Sequence, residues 1–414
     1  MRTIQEYGDV HALPSQILSV LQLRALSEPL LPNLKILALE RVPGESIPFV
    51  PLLLSPRTTT IHLGLFGPHD HIPAAASMIT LFPTLCPNLH DIRLRGLPKN
   101  PMITVAVSEL VLNIKQNTIQ HFHVDSPLTE EARQVIYKNA NLCTLETVID
   151  KPTTSPMVLP NLTDIEIEHY NGHEWLQGFC GASLGKLASF IICFESDLIG
   201  DFLAALERVT LTTSISETLS TFKLYTMRSW RPSYRSLLPF TQLKVLTINS
   251  DCELGCSSTI DDDTIIDLAR AMPKLEVLEL GDDPCDIPAG VTVKGLTALA
   301  HYCPRLTDLT VHFQAASLNP SEIPHPTVTN EPTIPQESCA LKVLRVGYIS
   351  VPSGFTLMIA LSLLNIFPHL QEIDYSGLDD GRWKRIGKAI CNSKKLIRCS
   401  SKKCLLSFVA LDQH

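Results

Sequence analysis

The stretch CPNLHDIRL, residues 86–94, returns in closely similar form along the chain. Copies stand at 159–167 as LPNLTDIEI, at 272–280 as MPKLEVLEL and at 303–311 as CPRLTDLTV. The polar residues change from copy to copy, whereas the leucine and the closing apolar residues return. A repeated catalytic signature would keep its polar atoms, so the pattern indicates a structural unit that stacks on copies of itself.

The template L-x-x-[LIF]-x-[LIVY] captures this unit. It fits clearly at Leu34, Leu89, Leu162, Leu187, Leu219, Leu243, Leu275, Leu306, Leu341 and Leu370, and more weakly at Thr58, Ile119 and Leu142. The thirteen starts span 336 residues in twelve steps, a mean of 28 residues, which is typical of leucine-rich repeats. Apolar residues alternate within each copy, so each copy predicts a short strand with one buried face.

Several of these strands are preceded by a stretch with helical spacing. TIIDLARAM, residues 264–272, has its apolar side chains on one helical face, and VKGLTALAHYC, residues 293–303, has the same spacing. Asp261 to Asp263 are candidates for the N-terminal cap of the first of these helices. The prediction is an α/β fold. It is a leucine-rich repeat solenoid, an irregular horseshoe with a parallel sheet on the concave face and helices on the convex face.

The pattern also predicts how the chain is organised. Residues 31–378 form the array of about 13 units, residues 1–30 precede it, and residues 379–414 form a basic C-terminal cap or tail. A loop at 315–338 is predicted to be inserted into one repeat, because residues 319–336 contain five prolines and show no periodicity.

VKGLTALAHYCPRLTDLTV, residues 293–311, resembles the cysteine-containing repeat of fungal F-box/leucine-rich repeat proteins, and residues 28–63 resemble the opening of their repeat region. This resemblance implies the substrate-recognition part of a cullin-type ubiquitin ligase adaptor, with the linker subunit of the ligase as a partner. LPSQIL, residues 13–18, resembles the start of an F-box, but the first repeat follows too soon for a complete one. Residues 1–30 are therefore an N-terminal cap or an F-box remnant. The alternative is a repeat scaffold, or a truncated fragment, with no ligase link.

A catalytic alternative rests on the motif G-x-S-x-G at residues 181–185. This motif needs a strand before its serine and a helix after it, whereas the residues after Ser183 are predicted to be a repeat strand. An esterase using Ser183 is therefore the weaker alternative, and we predict that the protein is not an enzyme. We expect no cofactor and no metal, since the cysteines lack zinc spacing. Cys86 and Cys303 occupy an apolar position of the repeat and are predicted to be core thiols.

The charges are unevenly distributed. Residues 382–403 hold nine basic residues and no acidic one, and the rest of the chain holds 25 basic and 42 acidic residues, a formal charge of −17. Phosphate binding, nuclear targeting and an acidic partner are open interpretations of this basic run. We favour a fourth, that it is the solvated face of a terminal cap. The N-terminus lacks a signal-like segment, and the apolar stretch 355–367 is too short to span a bilayer. We expect a cytoplasmic or nuclear protein with no membrane contact.

The predicted binding site is the concave face of the sheet. Residues that alternate with buried ones point into this face, and the candidates for partner contact are Arg93, Arg95, His123, Glu166, Glu168, Lys223, Tyr225, Glu279, His312 and Arg345. The signs of charge are mixed, whereas a nucleic-acid track needs a continuous positive stripe. The sequence therefore predicts a protein substrate or partner rather than a nucleic acid.

Overall fold

Short parallel strands, most of them preceded by a helix or a tight turn, make up the fold. The computed structural model describes residues 3–6, 29–65, 71–115, 118–149, 157–169, 184–194, 206–207, 215–226, 234–250, 260–281, 290–315, 339–346, 356–375 and 381–398. The chain divides into two compact units. The first holds residues 1–193 and 208–215, and the second holds residues 194–207 and 216–414.

The first unit is built on strands β1 to β8. These are β1 Thr3–Glu6, β2 Ile36–Leu39, β3 Thr60–Gly64, β4 Asp91–Arg95, β5 His121–Pro127, β6 Thr144–Ile149, β7 Asp164–His169 and β8 Ser189–Phe194. Its helices are a 3-10 helix at Gly44–Phe49, α1 Val50–Leu53, α2 Ile72–Leu85, α3 Pro101–Asn113 and α4 Glu130–Tyr137. Strands β1 to β7 pair in sequence order and all in parallel.

The second unit contains strands β9 to β14. These are β9 Thr221–Thr226, β10 Val245–Ser250, β11 Val277–Leu280, β12 Asp308–Val311, β13 Val343–Val346 and β14 Glu372–Tyr375. The helices of this part of the chain are α5 Ile215–Thr218, a 3-10 helix at Tyr234–Leu237, α6 Asp262–Ala271, α7 Val293–Tyr302, α8 Thr356–Ile366 and α9 Arg382–Arg398. The strands again pair in sequence order and in parallel.

Each of the thirteen predicted repeat starts is followed by a strand, β2 to β14, so the leucine-rich repeat fold is confirmed. Strand β1 is an addition. Its sequence TIQE does not fit the template, yet Thr3 pairs with Ile36 and Glu6 with Leu39. Residues 1–30 therefore contribute a strand to the sheet of the first unit. The F-box-like stretch 13–18 lies outside the described residues.

A tight turn explains why the opening phrase recurs. The backbone N–H of Leu89 donates to the carbonyl of Cys86 at 3.1 Å, and Leu275 donates to Met272 at 3.2 Å in the same way. Both leucines are buried, which fixes the turn against the core. Proline follows the acceptor residue in each copy, where the chain needs no N–H donor.

Successive repeats are joined by what we name the shared-carbonyl contact. The N–H groups of His90 and Asp91 both donate to the carbonyl of Thr59, at 3.0 and 3.2 Å. The same contact joins Glu276 and Val277 to the carbonyl of Lys244, at 2.7 and 2.9 Å. It sets the position at which each strand enters the sheet, independently of the length of the preceding helix.

Helix termini also link neighbouring repeats. Asp261 caps α6 by accepting from the N–H of Thr264 at 2.9 Å, as predicted. The next residue, Asp262, reaches the following repeat instead, where it accepts from the N–H groups of Thr292 at 2.7 Å and Gly295 at 2.9 Å. A Cβ on Gly295 would lie 2.6 Å from the Asp262 carboxylate. A side chain at position 295 would therefore displace the Asp262 carboxylate from this contact.

The basic helix α9 packs through one apolar side. Trp383, Ile386 and Ile390 are buried, and the Trp383 ring meets the Phe313 ring edge to face, with 6.0 Å between centroids. Lysines 384 and 388 on the same helix are exposed. Among the helices in the described residues, none has the length and apolar character needed to cross a membrane.

Candidate functional site

Residues that alternate with the buried core positions of each strand form what we name the open face of the sheet. Strand β5 shows the pattern, since Phe122 and Val124 are fully buried while His121 and His123 are partly exposed. All ten candidate residues occupy open-face positions. Arg93, Arg95, His123, Glu166 and Glu168 lie in the first unit, and Lys223, Tyr225, Glu279, His312 and Arg345 lie in the second. Whether they bind a partner stays a prediction.

In the first unit, Asp91 anchors two basic side chains. Its carboxylate lies 3.0 Å from Nε2 of His62 and 3.5 Å from Nε of Arg93. The Asp91 side chain is 15% exposed and that of Arg93 is 41% exposed. Burial opposes ionisation of Asp91, but His62 and Arg93 outweigh it and hold its pKa below the ordinary value. The acid thus lies low on the face and the guanidinium stands above it.

Glu146 repeats this arrangement two strands further on. It lies 2.8 Å from Nδ1 of His123 and 3.1 Å from the guanidinium of Arg95. The Glu146 side chain is 17% exposed, whereas that of Arg95 is 59% exposed. Burial again opposes ionisation, but the hydrogen bond from His123 and the charge of Arg95 hold the pKa of Glu146 below its ordinary value. The sequence predicted His123 and Arg95 as contact residues but did not predict Glu146, which holds both of them in place.

Thr144 completes this cluster and was also missed. Its hydroxyl lies 2.8 Å from Nε2 of His123 and 3.0 Å from Nδ1 of His121. Thr144 and His121 are register partners on adjacent strands. The only sequence signal was the template itself, which places both residues at the first position of their strands.

Strand β7 presents a contrasting, acidic surface. Burial raises the pKa of Glu166, and the neighbouring Glu146 raises it further. Burial also raises the pKa of the Cys193 thiol to about 11, with Glu166 and Glu168 adding to the effect. The first unit therefore presents guanidinium groups at β4 and carboxylates at β7, about 14 Å apart at the usual spacing of strands.

In the second unit, Arg345 gathers three carboxylates. Its guanidinium lies 3.5 Å from Glu279, 3.7 Å from Asp308 and 3.9 Å from Asp374. Because Glu279 is two strands away, the Arg345 side chain extends across Thr310, which is buried although it occupies an open-face position. Glu279 also accepts a hydrogen bond from the buried Thr247 hydroxyl at 3.0 Å. Lys223 and Tyr225 occupy open-face positions of β9, and His312 occupies the open-face position directly after β12.

The predicted core thiols are buried and unpaired. Cys86 and Cys303 are both fully buried and free. Beyond filling space, the Cys303 thiol lies 3.6 Å from the carbonyl of Met272, at hydrogen-bonding distance for sulfur. Within the described ranges no cluster of histidine, cysteine or acidic side chains could hold a metal ion. Ser183, the esterase candidate, lies outside the described residues.

Similarity to known proteins is found among solved structures and not among family models or curated proteins. No protein-family model matches this chain, and the search of curated proteins gives no match. Among solved structures, a similar chain occurs in the crystal structure of the Rad7 and Elc1 complex in yeast. That chain is 15% identical, the match covers 81% of this chain and 83% of that one, and the TM-score is 0.42. The assignment to the leucine-rich repeat fold rests on the strand order and turn geometry given above.

Proposed function

We propose that this chain is a protein-interaction module that binds its partner through the open face of its repeats. The proposal rests on one observation: ion pairs fix the positions of exposed arginine side chains on this face. Arg93 and Arg95 stand over the partly buried carboxylates of Asp91 and Glu146. Side chains that are already positioned lose less conformational freedom when a partner binds.

The charge pattern favours a protein over a nucleic acid. In the first unit basic groups lie at β4 and acidic groups at β7, and in the second unit Arg345 is surrounded by three carboxylates. A polyanion would meet repulsion at β7, because Glu166 and Glu168 face the same side as the arginines. A folded protein surface can instead place opposite charges over each group.

The finer proposal is that the module is the substrate-recognition part of an F-box adaptor of a cullin-type ubiquitin ligase. It is supported by the resemblance of residues 28–63 and 293–311 to the repeats of fungal F-box/leucine-rich repeat proteins. In that role the chain binds a substrate and the linker subunit and carries out no enzymatic turnover. The resemblance of residues 13–18 to an F-box start makes this segment the candidate contact for the linker subunit.

Affinity capture from cell extract, followed by mass spectrometry, tests the binding face. The full chain is compared with the charge reversal Arg93→Glu/Arg95→Glu and with the matched control Lys294→Glu, which reverses an exposed charge on α7. We expect partners captured by the parent and the control to be lost from the double variant. If all three proteins captured the same partners equally, the open face of the first unit would be ruled out as the binding site.

The proposed link to the ligase needs a separate experiment. Deletion of residues 1–30 is unsuitable for it, because the deletion would also remove β1 from the sheet. The variant Leu13→Ala/Pro14→Ala alters the F-box-like stretch alone. Recovery of the linker subunit with the parent chain, and its loss with this variant, is the expected result. Absence of the linker subunit from both samples would contradict the ligase role and would leave the binding proposal standing.

A further inference from the structure

The hydroxyl of Thr144 lies between two imidazole rings on the open face of the first unit. It is 2.8 Å from Nε2 of His123 and 3.0 Å from Nδ1 of His121. The other nitrogen of His123 lies 2.8 Å from Glu146. A hydroxyl, an imidazole and a carboxylate are thus connected in that order, which is the arrangement that activates a nucleophile in acyl-transfer sites.

The charge state of Glu146 fixes the direction of each hydrogen bond. An ionised carboxylate only accepts, so Nδ1 of neutral His123 carries the proton and donates to Glu146. In this tautomer Nε2 of His123 has a lone pair and can accept from the Thr144 hydroxyl. The Thr144 oxygen in turn accepts from Nδ1–H of His121. Burial lowers the pKa of His121 below its ordinary value, against the opposing effect of Asp91, and so favours the neutral ring that donates through Nδ1–H.

We propose that Thr144 is a nucleophilic acceptor of acyl groups, with His123 as its general base and Glu146 as the positioning residue. The Thr144 oxygen attacks the carbonyl carbon of an activated ester, forming a new C–O bond. The Thr144 proton passes to Nε2 of His123, and the bond to the leaving group breaks. The leaving group departs as an alcohol or phenol after taking up this proton. The product is one acylated threonine per chain, so the step is a stoichiometric modification.

The location of the cluster allows an ester to approach. Thr144, His121 and His123 occupy open-face positions and are partly exposed, whereas their neighbours Phe122 and Leu145 are buried beneath them. Arg95, which contacts Glu146, stands at the edge of the cluster with 59% of its side chain exposed.

The second unit supplies a matched control. Thr221 is the first residue of β9, as Thr144 is of β6, and it is likewise partly exposed on the open face. Its register partner on β10 is Val245, and neither β8 (SFIICF) nor β10 (VLTINS) contains a histidine. Any reactivity shared by Thr144 and Thr221 is therefore that of an ordinary strand threonine.

The test is acetylation of the full chain by p-nitrophenyl acetate, with peptide mass spectrometry to measure the rate at each threonine. A general base typically accelerates such a step by about 100-fold or more, so we expect Thr144 to be acetylated about 100-fold faster than Thr221. Thr144→Val should abolish acetylation at position 144 and Thr221→Val should leave it unchanged. Equal rates at the two threonines would overturn the proposal.

Two further variants separate activation from a structural role. His123→Gln keeps hydrogen-bonding capacity but cannot act as a base, and it should reduce the Thr144 rate to that of Thr221. Glu146→Gln removes the charge that stabilises the imidazolium formed during attack, so its pH profile of acetylation should shift toward lower pH with a lower maximum. Circular dichroism verifies folding of both. A full Thr144 rate in folded His123→Gln, or an unchanged profile in folded Glu146→Gln, would contradict the assigned roles.

Discussion

Glu146 and Glu166 lie directly opposite each other on β6 and β7, and both carboxylates face the open side of the sheet. His123 and Arg95 hold the pKa of Glu146 low, whereas burial and the charge of Glu146 raise the pKa of Glu166. The fold therefore favours the ionised form of Glu146 and disfavours the ionised form of Glu166. Like charges directly opposite each other on neighbouring strands are destabilising.

Replacement of Glu166 by Gln should stabilise the first unit at pH 7, by about 0.5 kcal/mol on the scale of cross-strand pairs. The folded-state pKa of Glu166 is raised, so the carboxylate costs stability at pH values above that pKa. At low pH the native carboxyl is protonated, and the advantage of Gln should vanish below the unfolded pKa of about 4.3. Urea unfolding at pH 7 and pH 4 measures this, with Glu372→Gln as the control. A stability gain that persists unchanged at low pH would contradict the explanation.

Asp91 gives the opposite pH dependence. Its pKa is lowered by His62 and Arg93, so its ionised form stabilises the fold. Asp91→Asn should cost about 1.5 to 3 kcal/mol at pH 7, the usual contribution of a hydrogen bond to a charged group. This stability is present above the unfolded pKa of about 3.9 and is lost as the pH falls through the lower folded pKa. Urea unfolding should show the parent and variant converging at acid pH, and a constant difference would disprove the assignment.

The contact between Trp383 and Phe313 should make α9 essential to the second unit. Trp383→Ala removes a fully buried ring and should reduce the free energy of unfolding by about 3 to 5 kcal/mol. Lys384→Ala, on the exposed side of the same helix, should change it by less than about 0.5 kcal/mol. Hydrogen exchange followed at β12 is the measurement. Unchanged protection of β12 in the Trp383 variant would mean that α9 is dispensable.

The buried thiols should resist alkylation in the native protein. Burial raises the pKa of Cys86 to about 11 and that of Cys303 to about 12, so at pH 8 almost none of either is thiolate. Cys391 is exposed and should react. Iodoacetamide treatment at pH 8 with peptide mapping should find Cys391 modified, and Cys86 and Cys303 modified only after unfolding. Native modification of Cys303 at the rate of Cys391 would show that the core opens readily.

The sequence predicted the strands well because each strand repeats one local rule. In most repeats a leucine precedes the strand by two residues, and apolar residues then alternate, so even the weak starts at Ile119 and Leu142 led to β5 and β6. The same alternation placed the ten candidates on the open face. Strand β1 was missed because residues 1–6, MRTIQE, depart from the template at both its first and its last position. Its place in the sheet depends on pairing with β2, which the local sequence does not encode.

The contacts among open-face side chains could not be predicted in this way. His123 and Glu146 are 23 residues apart, and they meet because the register of β5 and β6 places them side by side. Asp125 is a similar case, since it accepts from the N–H groups of Gly96 and Leu97 in the preceding repeat. Predicting such contacts requires the alignment of neighbouring strands to the residue, whereas the template gives only where each strand starts.

The shared-carbonyl contact separates the length of a repeat from its register. Strand starts differ by 23 residues between His121 and Thr144 and by 35 between Asp308 and Val343, yet each pair is aligned at its first position. Insertions and deletions in the intervening segments can therefore accumulate during evolution while the same strand positions stay on the open face. A single residue inserted between the turn leucine and its strand would instead exchange core and surface side chains along that strand.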